Sequence, residues 1–217
     1  MPVITIRGQY GSGSNEIAER IAQKMNIDYV DREIIAGVAQ RLHQPDASIA
    51  EKEMPPGTFL GRIAESMART ACLGDGIFAG IYSPLCDIPL NDTHYLSGLE
   101  YVIKELAKSQ SIVIRGRGSQ FILKDFPGVF HVLIVAPMEE RLKRVMETHK
   151  INEEDARNQI VRFDEGSGEF VKRYFRANIA DPIHYDLVIN THHLSVEDAA
   201  SLIVDAVRLA AQRQGKK

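Results

Sequence analysis

Short β-branched apolar runs alternate along the chain with longer stretches whose apolar residues recur every three or four positions. Val3-Ile4-Thr5-Ile6 reads as a first strand. Asn15 to Met25, with Ile17, Ala18, Ile21, Ala22 and Met25 in register, reads as the helix after it. Tyr29-Val30 is a second, short strand, and helices are expected from Arg32 to about Leu42 and from Phe59 to Ala71. Between Cys72 and Ser97 the periodicity dissolves into Gly, Pro, Asn and Asp, a long loop. A helix from Gly98 to Lys108 leads into the strand Ile112-Val113-Ile114. Val129 to Val135 is the fourth strand, Met138 to His149 its following helix, and Leu187 to Asn190 the fifth strand. Asn152 to Tyr174 is helical in pattern and expected to break at Gly166-Ser167-Gly168. Ser195 with Glu197 and Asp198 reads as a helix start, opening a helix with Leu202, Ile203, Ala206, Val207 and Ala210 on one face. Strands that are continuous apolar runs, separated by helices, indicate an α/β fold: a parallel sheet covered on both faces.

On such sheets, ligands sit at the carboxyl ends of the strands, which directs attention to the loop after the first one. Two phosphate-binding patterns compete there. A dinucleotide fingerprint beginning at Gly11 and Gly13 meets Glu16 where its third glycine belongs. The mononucleotide pattern G-x-x-x-x-G-K-[ST] is matched by Gly8 and Gly13, but Ser14 stands at the lysine position and Asn15 at the Ser/Thr position. Backbone N–H groups and a helix N-terminus still cradle phosphate without those side chains, because that part of the chemistry needs glycines. A plain tight turn is the bland alternative.

Composition narrows the class. The 217 residues carry 26 Lys+Arg against 29 Asp+Glu, a net charge of -3, which argues against a general nucleic-acid coat protein. Cys72 and Cys86 match no zinc or redox spacing and are expected to be free thiols in a reducing compartment. No apolar run approaches a membrane span, and Met1-Pro2-Val3-Ile4-Thr5 lacks the layout of a secretion signal, so a cytoplasmic location is expected. The adjacent His192-His193 are read as solvent-facing, and one Arg-Gly-Arg-Gly at 115–118 is a poor match for a disordered RNA-binding tract.

Four segments in order then resemble one family. They are Gln9-Tyr10-Gly11-Ser12-Gly13 with Glu16-Ile17-Ala18; Tyr29-Val30-Asp31-Arg32-Glu33-Ile34-Ile35; Val113-Ile114-Arg115-Gly116-Arg117-Gly118; and Asp181-Pro182 with Tyr185 to Thr191. Together they resemble the cytidylate kinase-like family, a branch of the P-loop nucleoside monophosphate kinases. The resemblance implies one P-loop kinase domain over 1–217, with a five-stranded parallel sheet ordered 2-3-1-4-5. It also implies an acceptor-binding helical insertion at 36–100 and a lid at 150–180. Donor and metal would be ATP and Mg²⁺, and the acceptor a nucleoside monophosphate such as CMP.

By position, Gly8, Gly11, Ser12, Gly13, Ser14 and Asn15 would take the donor phosphates, and Asp31 would hold magnesium through water. Arg32 and Arg117 would bind the acceptor phosphate; of Arg115 and Arg117, one is expected to face the site, and the resemblance favours Arg117. Many relatives carry arginine at the position of Asn15 and D-x-x-R in the lid, where this chain has Asp164-Glu165-Gly166-Ser167. Phosphoryl transfer relies on positive charge around the migrating group. Arg162, Arg173 and Arg176 are therefore the candidate substitutes: Arg162 for substrate, Arg173 and Arg176, on one helical face, for catalysis after a swing about the glycines. The competing reading is a regulatory module of the same fold that binds nucleotide and transfers little.

Overall fold

The computed structural model describes residues 2–31 and 93–214. The helices expected at 32–42 and 59–71, and Arg32 itself, lie outside the described residues. The chain forms two compact units, Met1–Asp31 with Gln110–Lys217, and Arg32–Ser109.

In the first unit, the elements run β1 (Val3–Gly8), α1 (Ser14–Met25) and β2 (Asp28–Val30). The described part of the second unit is helix α2 (Thr93–Ser109). It begins at Thr93 rather than at Gly98, so the end of the expected loop is helical; Leu99, Val102, Ile103 and Leu106 make its buried stripe. The first unit resumes with β3 (Ile112–Arg115), α3 (Ser119–Ile122), β4 (Val129–Val135), α4 (Met138–His149) and α5 (Glu153–Phe175). A short 3-10 turn (Pro182–His184), β5 (Leu187–Asn190) and α6 (Val196–Gln214) complete it. The sheet is parallel throughout and ordered β2-β3-β1-β4-β5, as expected.

Successive residues of each strand point to opposite faces of the sheet. Ile4, Ile6, Val113, Val132, Ile134 and Ile189 meet α1 (Ile17, Ala18, Ile21, Ala22) and α6 (Ala199, Ala200, Ile203, Val204, Val207) in one core. The α6 stripe is therefore rotated from the one expected: Ile203 and Val207 are buried, but Leu202 is 51% exposed and Val204 takes its place. Residues at i, i+1, i+4, i+5 and i+8 make one helical stripe; Leu202 falls a further step round the helix and off it. The expected N-cap is present: Ser195 Oγ accepts from Asp198 N at 3.1 Å.

On the opposite face Thr5 pairs in register with His131, and Thr5 Oγ1 and His131 Nδ1 are hydrogen-bonded at 2.7 Å. Burial holds the His131 imidazole below its usual 6.5, with Asp186 opposing the shift. The native state thus resists a proton that the unfolded chain accepts. Stability is full above about pH 6.5 and falls as the pH drops below it. Urea titrations of wild type and His131→Gln across pH 5–7.5 should show a shallower acid loss in the variant; parallel curves would remove His131 from the account.

The expected break in the lid segment does not occur. α5 is one helix of 23 residues, Glu153–Phe175, that runs through Gly166-Ser167-Gly168; its N-cap is Asn152, whose side chain accepts from Asp155 N at 2.9 Å. Two helical glycines cost roughly 1 kcal/mol each. Anchors on both sides of them offset that: Ala156 and Ile160 are buried before, Val171 after, and Phe175 stacks on Phe121 with ring centres 5.2 Å apart. A swing hinged on these glycines has no structural basis. Arg173 lies in the last turn of α5, whereas Arg176 is its left-handed C-cap, so the two do not continue one helical face. Among the described residues no helix is long and apolar enough to cross a membrane.

Candidate active site

Because β1 lies between β3 and β4, the chain leaving it at Gly8 is flanked by the ends of both neighbours. The loop from Gly8 to Gly13 is held down on the β4 side: Gln9 N donates to Ile134 O at 3.0 Å, and Gln9 Oε1 accepts from Ala136 N at 3.1 Å. Thr191, after β5, donates its hydroxyl to Ser12 O at 2.9 Å. The glycines are needed for space and shape. A Cβ on Gly8 would lie 2.2 Å from Ser14 Cβ and Oγ, and one on Gly11, where φ is +79°, would lie 2.8 Å from Arg141 O. Gly13, at φ +80°, is the left-handed residue that turns the chain into α1. Ser12 Oγ is fully buried with no hydrogen-bond partner. A buried hydroxyl is seldom left unpaired, and this one lies inside the glycine loop just before α1. An open cleft of about 340 Å³ lies over it, lined by Gly8 to Gly11, Gly13 to Glu16, Arg115, Arg144, His149 and Phe163 among others.

Positive charge reaches this cleft from places the sequence did not single out. Arg144 of α4 bonds Thr191 Oγ1 at 3.0 Å, Thr191 O at 3.1 Å and Gly11 O at 3.4 Å, so its guanidinium is fixed beside the loop. One turn earlier, buried Arg141 is bonded to Asp164 of α5 and donates to Tyr10 O at 3.4 Å. Asp164 also accepts from Tyr10 N at 3.1 Å and has Arg7 Nη2 at 3.8 Å. Asp164 is thus held by Arg7 of β1, Arg141 of α4 and the backbone N–H of Tyr10 in the loop. The signal in the sequence was faint but present: Arg141 and Arg144 lie in the first two turns of the helix that follows β4, the strand adjacent to β1.

On the other flank Arg115, the last residue of β3, donates Nε–H to Tyr29 Oη at 3.1 Å and Nη2–H to Asp31 at 3.3 Å. Tyr29 donates its hydroxyl to Asn15 Oδ1 at 2.7 Å, and Asn15 Nδ2 donates to Glu19 at 3.1 Å. Burial raises the Tyr29 phenol above its usual range, against the pull of Arg115. It remains a neutral donor.

Of the residues expected to form the site, Gly8, Gly11, Ser12, Gly13, Ser14 and Asn15 come together in the loop, and Asp31 is joined to it through Arg115 and Tyr29. Arg115 lines the cleft. Arg117 instead sits in the turn Gly116-Arg117-Gly118, all at positive φ, because the strand ends at Arg115. Exposed Arg162, Arg173 and Arg176 are not among the residues lining this cleft.

A phosphate-type loop at the carboxyl edge of a parallel 2-3-1-4-5 sheet defines a P-loop kinase fold. The chain belongs to the cytidylate kinase-like family, whose sequence profile matches residues 3–193. It is 24% identical over 205 residues to the cytidylate kinase of Sulfolobus acidocaldarius, covering 94% of this chain and 93% of that protein. The cytidylate kinase of Methanopyrus kandleri is 22% identical over 220 residues, covering 98% and 96%. Among solved structures, an uncharacterized protein from Eubacterium ventriosum ATCC 27560 has a TM-score of 0.68 at 20% identity, covering 96% of this chain and 99% of that one. A gluconokinase from Sinorhizobium meliloti 1021 has a TM-score of 0.50 at 14% identity, covering 100% and 97%. These two likenesses are of fold.

Proposed function

We propose that this chain is a cytoplasmic phosphotransferase that moves the γ-phosphate of ATP to a small phosphorylated acceptor, a nucleoside monophosphate such as CMP. The observation that carries the reading is the cradle: Gly8 packed against Ser14, left-handed Gly11 and Gly13, and the buried, unpaired Ser12 hydroxyl at the start of α1. Loop N–H groups and the α1 dipole favour an anion there, and the fixed Arg144 adds a cation. Asp31, whose carboxylate is paired with Arg115 of the cleft, would hold a magnesium ion through water. When bound, that ion neutralises charge on the donor phosphates. Arg117, and Arg32 outside the described residues, would anchor the acceptor phosphate.

The test is ADP release from ATP and Mg²⁺ against a panel of nucleoside monophosphates, beside direct binding of the same ligands. Turnover on one acceptor supports the reading. Tight binding with no turnover on any would mark a nucleotide-binding regulatory module instead. Arg117→Ala should weaken acceptor binding by about 1.5–3 kcal/mol, the range for a hydrogen bond to a charged partner, with ATP affinity nearly unchanged. Calorimetric titration of both ligands checks it; an unaltered acceptor Kd removes Arg117 from the site.

A further inference from the structure

We propose that Arg115 supplies the positive charge that the phosphate loop itself lacks, a guanidinium brought from the neighbouring strand to the phosphoryl group in transit and positioned by Tyr29. The inference rests on the phosphotransferase reading and assigns a catalytic residue within it. Ser14 and Asn15 occupy the positions where a lysine and a hydroxyl would stand, so the loop offers its backbone but no cation. Arg115 is beside it. Its partner across the sheet is Ile6, whose side chain belongs to the core under α1, so Arg115 emerges on the α1 side of the sheet at the level of the loop. Its side chain is 17% exposed and lines the same cleft as Gly8, Gly13, Ser14 and Asn15.

The guanidinium is held in place. Tyr29 and Asp31 engage two of its five N–H donors, and the phenol is itself fixed by Asn15, which is fixed in turn by Glu19. Five side chains, from α1, β2, β3 and Asp31 just after β2, form this continuous row. A fork of this kind can hold a carboxylate on one edge and a phosphate oxygen on another, which a lysine ammonium does less well. Arg144, the other fixed cation of the cleft, is bonded instead to Thr191 and to the loop carbonyl of Gly11, on the β4–β5 side.

In the transfer, an ionised oxygen of the acceptor phosphate forms the new bond to the γ-phosphorus. The bond to the β–γ bridging oxygen breaks, and its electron pair leaves with ADP. No proton need move, and Arg115 stays protonated throughout, opposing the charge that spreads over the phosphoryl oxygens. Such a contact is stronger in the transition state than in either bound ground state, so it belongs to kcat rather than to binding.

The experiment uses the full chain with ATP, Mg²⁺ and the best acceptor from the panel, with Arg115→Ala, Arg115→Lys, Tyr29→Phe and the Arg115→Ala/Tyr29→Phe pair. Circular dichroism and thermal melts establish that each is folded. Arg115→Ala should lower kcat and kcat/KM together by about 10³-fold, the lower end for a transition-state arginine. Donor and acceptor Kd, measured by calorimetry with EDTA present, should stay within about threefold. Added ethylguanidinium should restore part of the lost rate and saturate. Arg115→Lys should keep binding but recover little rate, since the fork is gone. Tyr29→Phe should lower kcat about tenfold alone and cost nothing further on top of Arg115→Ala, as expected of a residue that acts through the guanidinium. Wild-type kcat in Arg115→Ala, or a loss that appears wholly in ligand Kd, overturns the assignment while leaving the phosphotransferase reading intact. If the wild-type chain transfers phosphate to no acceptor, that reading fails first and takes the assignment with it.

Discussion

Asp164→Ala is expected to destabilise the folded protein by about 3–5 kcal/mol, the cost of leaving a buried charge without its partner. The number follows from what the carboxylate faces. Arg141 is 6% exposed, its Nε is buried without a partner, and Arg7 approaches the same carboxylate from β1 with its side chain 10% exposed. Removing Asp164 leaves both guanidinium groups in a poorly solvated place and frees Tyr10 N as well. Asp164→Asn keeps an acceptor for Tyr10 N but not the charge, so it should fall between wild type and alanine. Urea unfolding of the three proteins measures it. A loss in Asp164→Ala below about 1 kcal/mol, the scale of a surface pair, would mean that the arginines are better hydrated than their burial indicates.

The second large effect belongs to Gly8. Gly8→Ala places a methyl group 2.2 Å from Ser14 Cβ and Oγ, and Ser14 opens α1, so the helix start must move away from the loop. The loop N–H groups and the helix terminus then no longer converge on one point. Losing two hydrogen bonds to a charged phosphate, at about 1.5–3 kcal/mol each, lowers affinity for a non-hydrolysable ATP analogue by roughly 10²–10⁴-fold. Gly13→Ala is the informative comparison. Its Cβ would meet only Arg144 Nη1, at 3.8 Å, so the penalty there is the left-handed backbone alone, about 1–2 kcal/mol. Gly8→Ala should therefore be the more damaging of the two. Equal affinities in a folded Gly8→Ala protein and wild type would mean that the donor phosphates sit elsewhere.

Much of this molecule is legible without coordinates. The five strands, the bounds of α4 and β4, and the strand–glycine loop–helix unit follow from local pattern, because a strand buried on both faces must be apolar without alternation. The spacing of Gly8 and Gly13 pointed to a phosphate cradle for the same reason: left-handed φ and close approach are properties of single positions. Reading by local propensity failed at Gly166-Ser167-Gly168. Two glycines argue for a break, but the contacts of Asp164 on one side and Phe175 on the other hold the helix straight through them.

What only the tertiary structure decided is where the charges meet. Nothing in the order of residues couples Arg7 and Arg141 to Asp164, or Arg115 to Tyr29, 86 positions away. Those meetings follow from β1 being flanked by β3 and β4, which brings the ends of three strands and the start of α4 to one edge. The sequence alone determined the five strands and the glycine positions of the phosphate loop, since both rest on short-range sterics and burial. The source of the cleft's positive charge was decided by packing, because a guanidinium reaches across strands that are distant in sequence and adjacent in space.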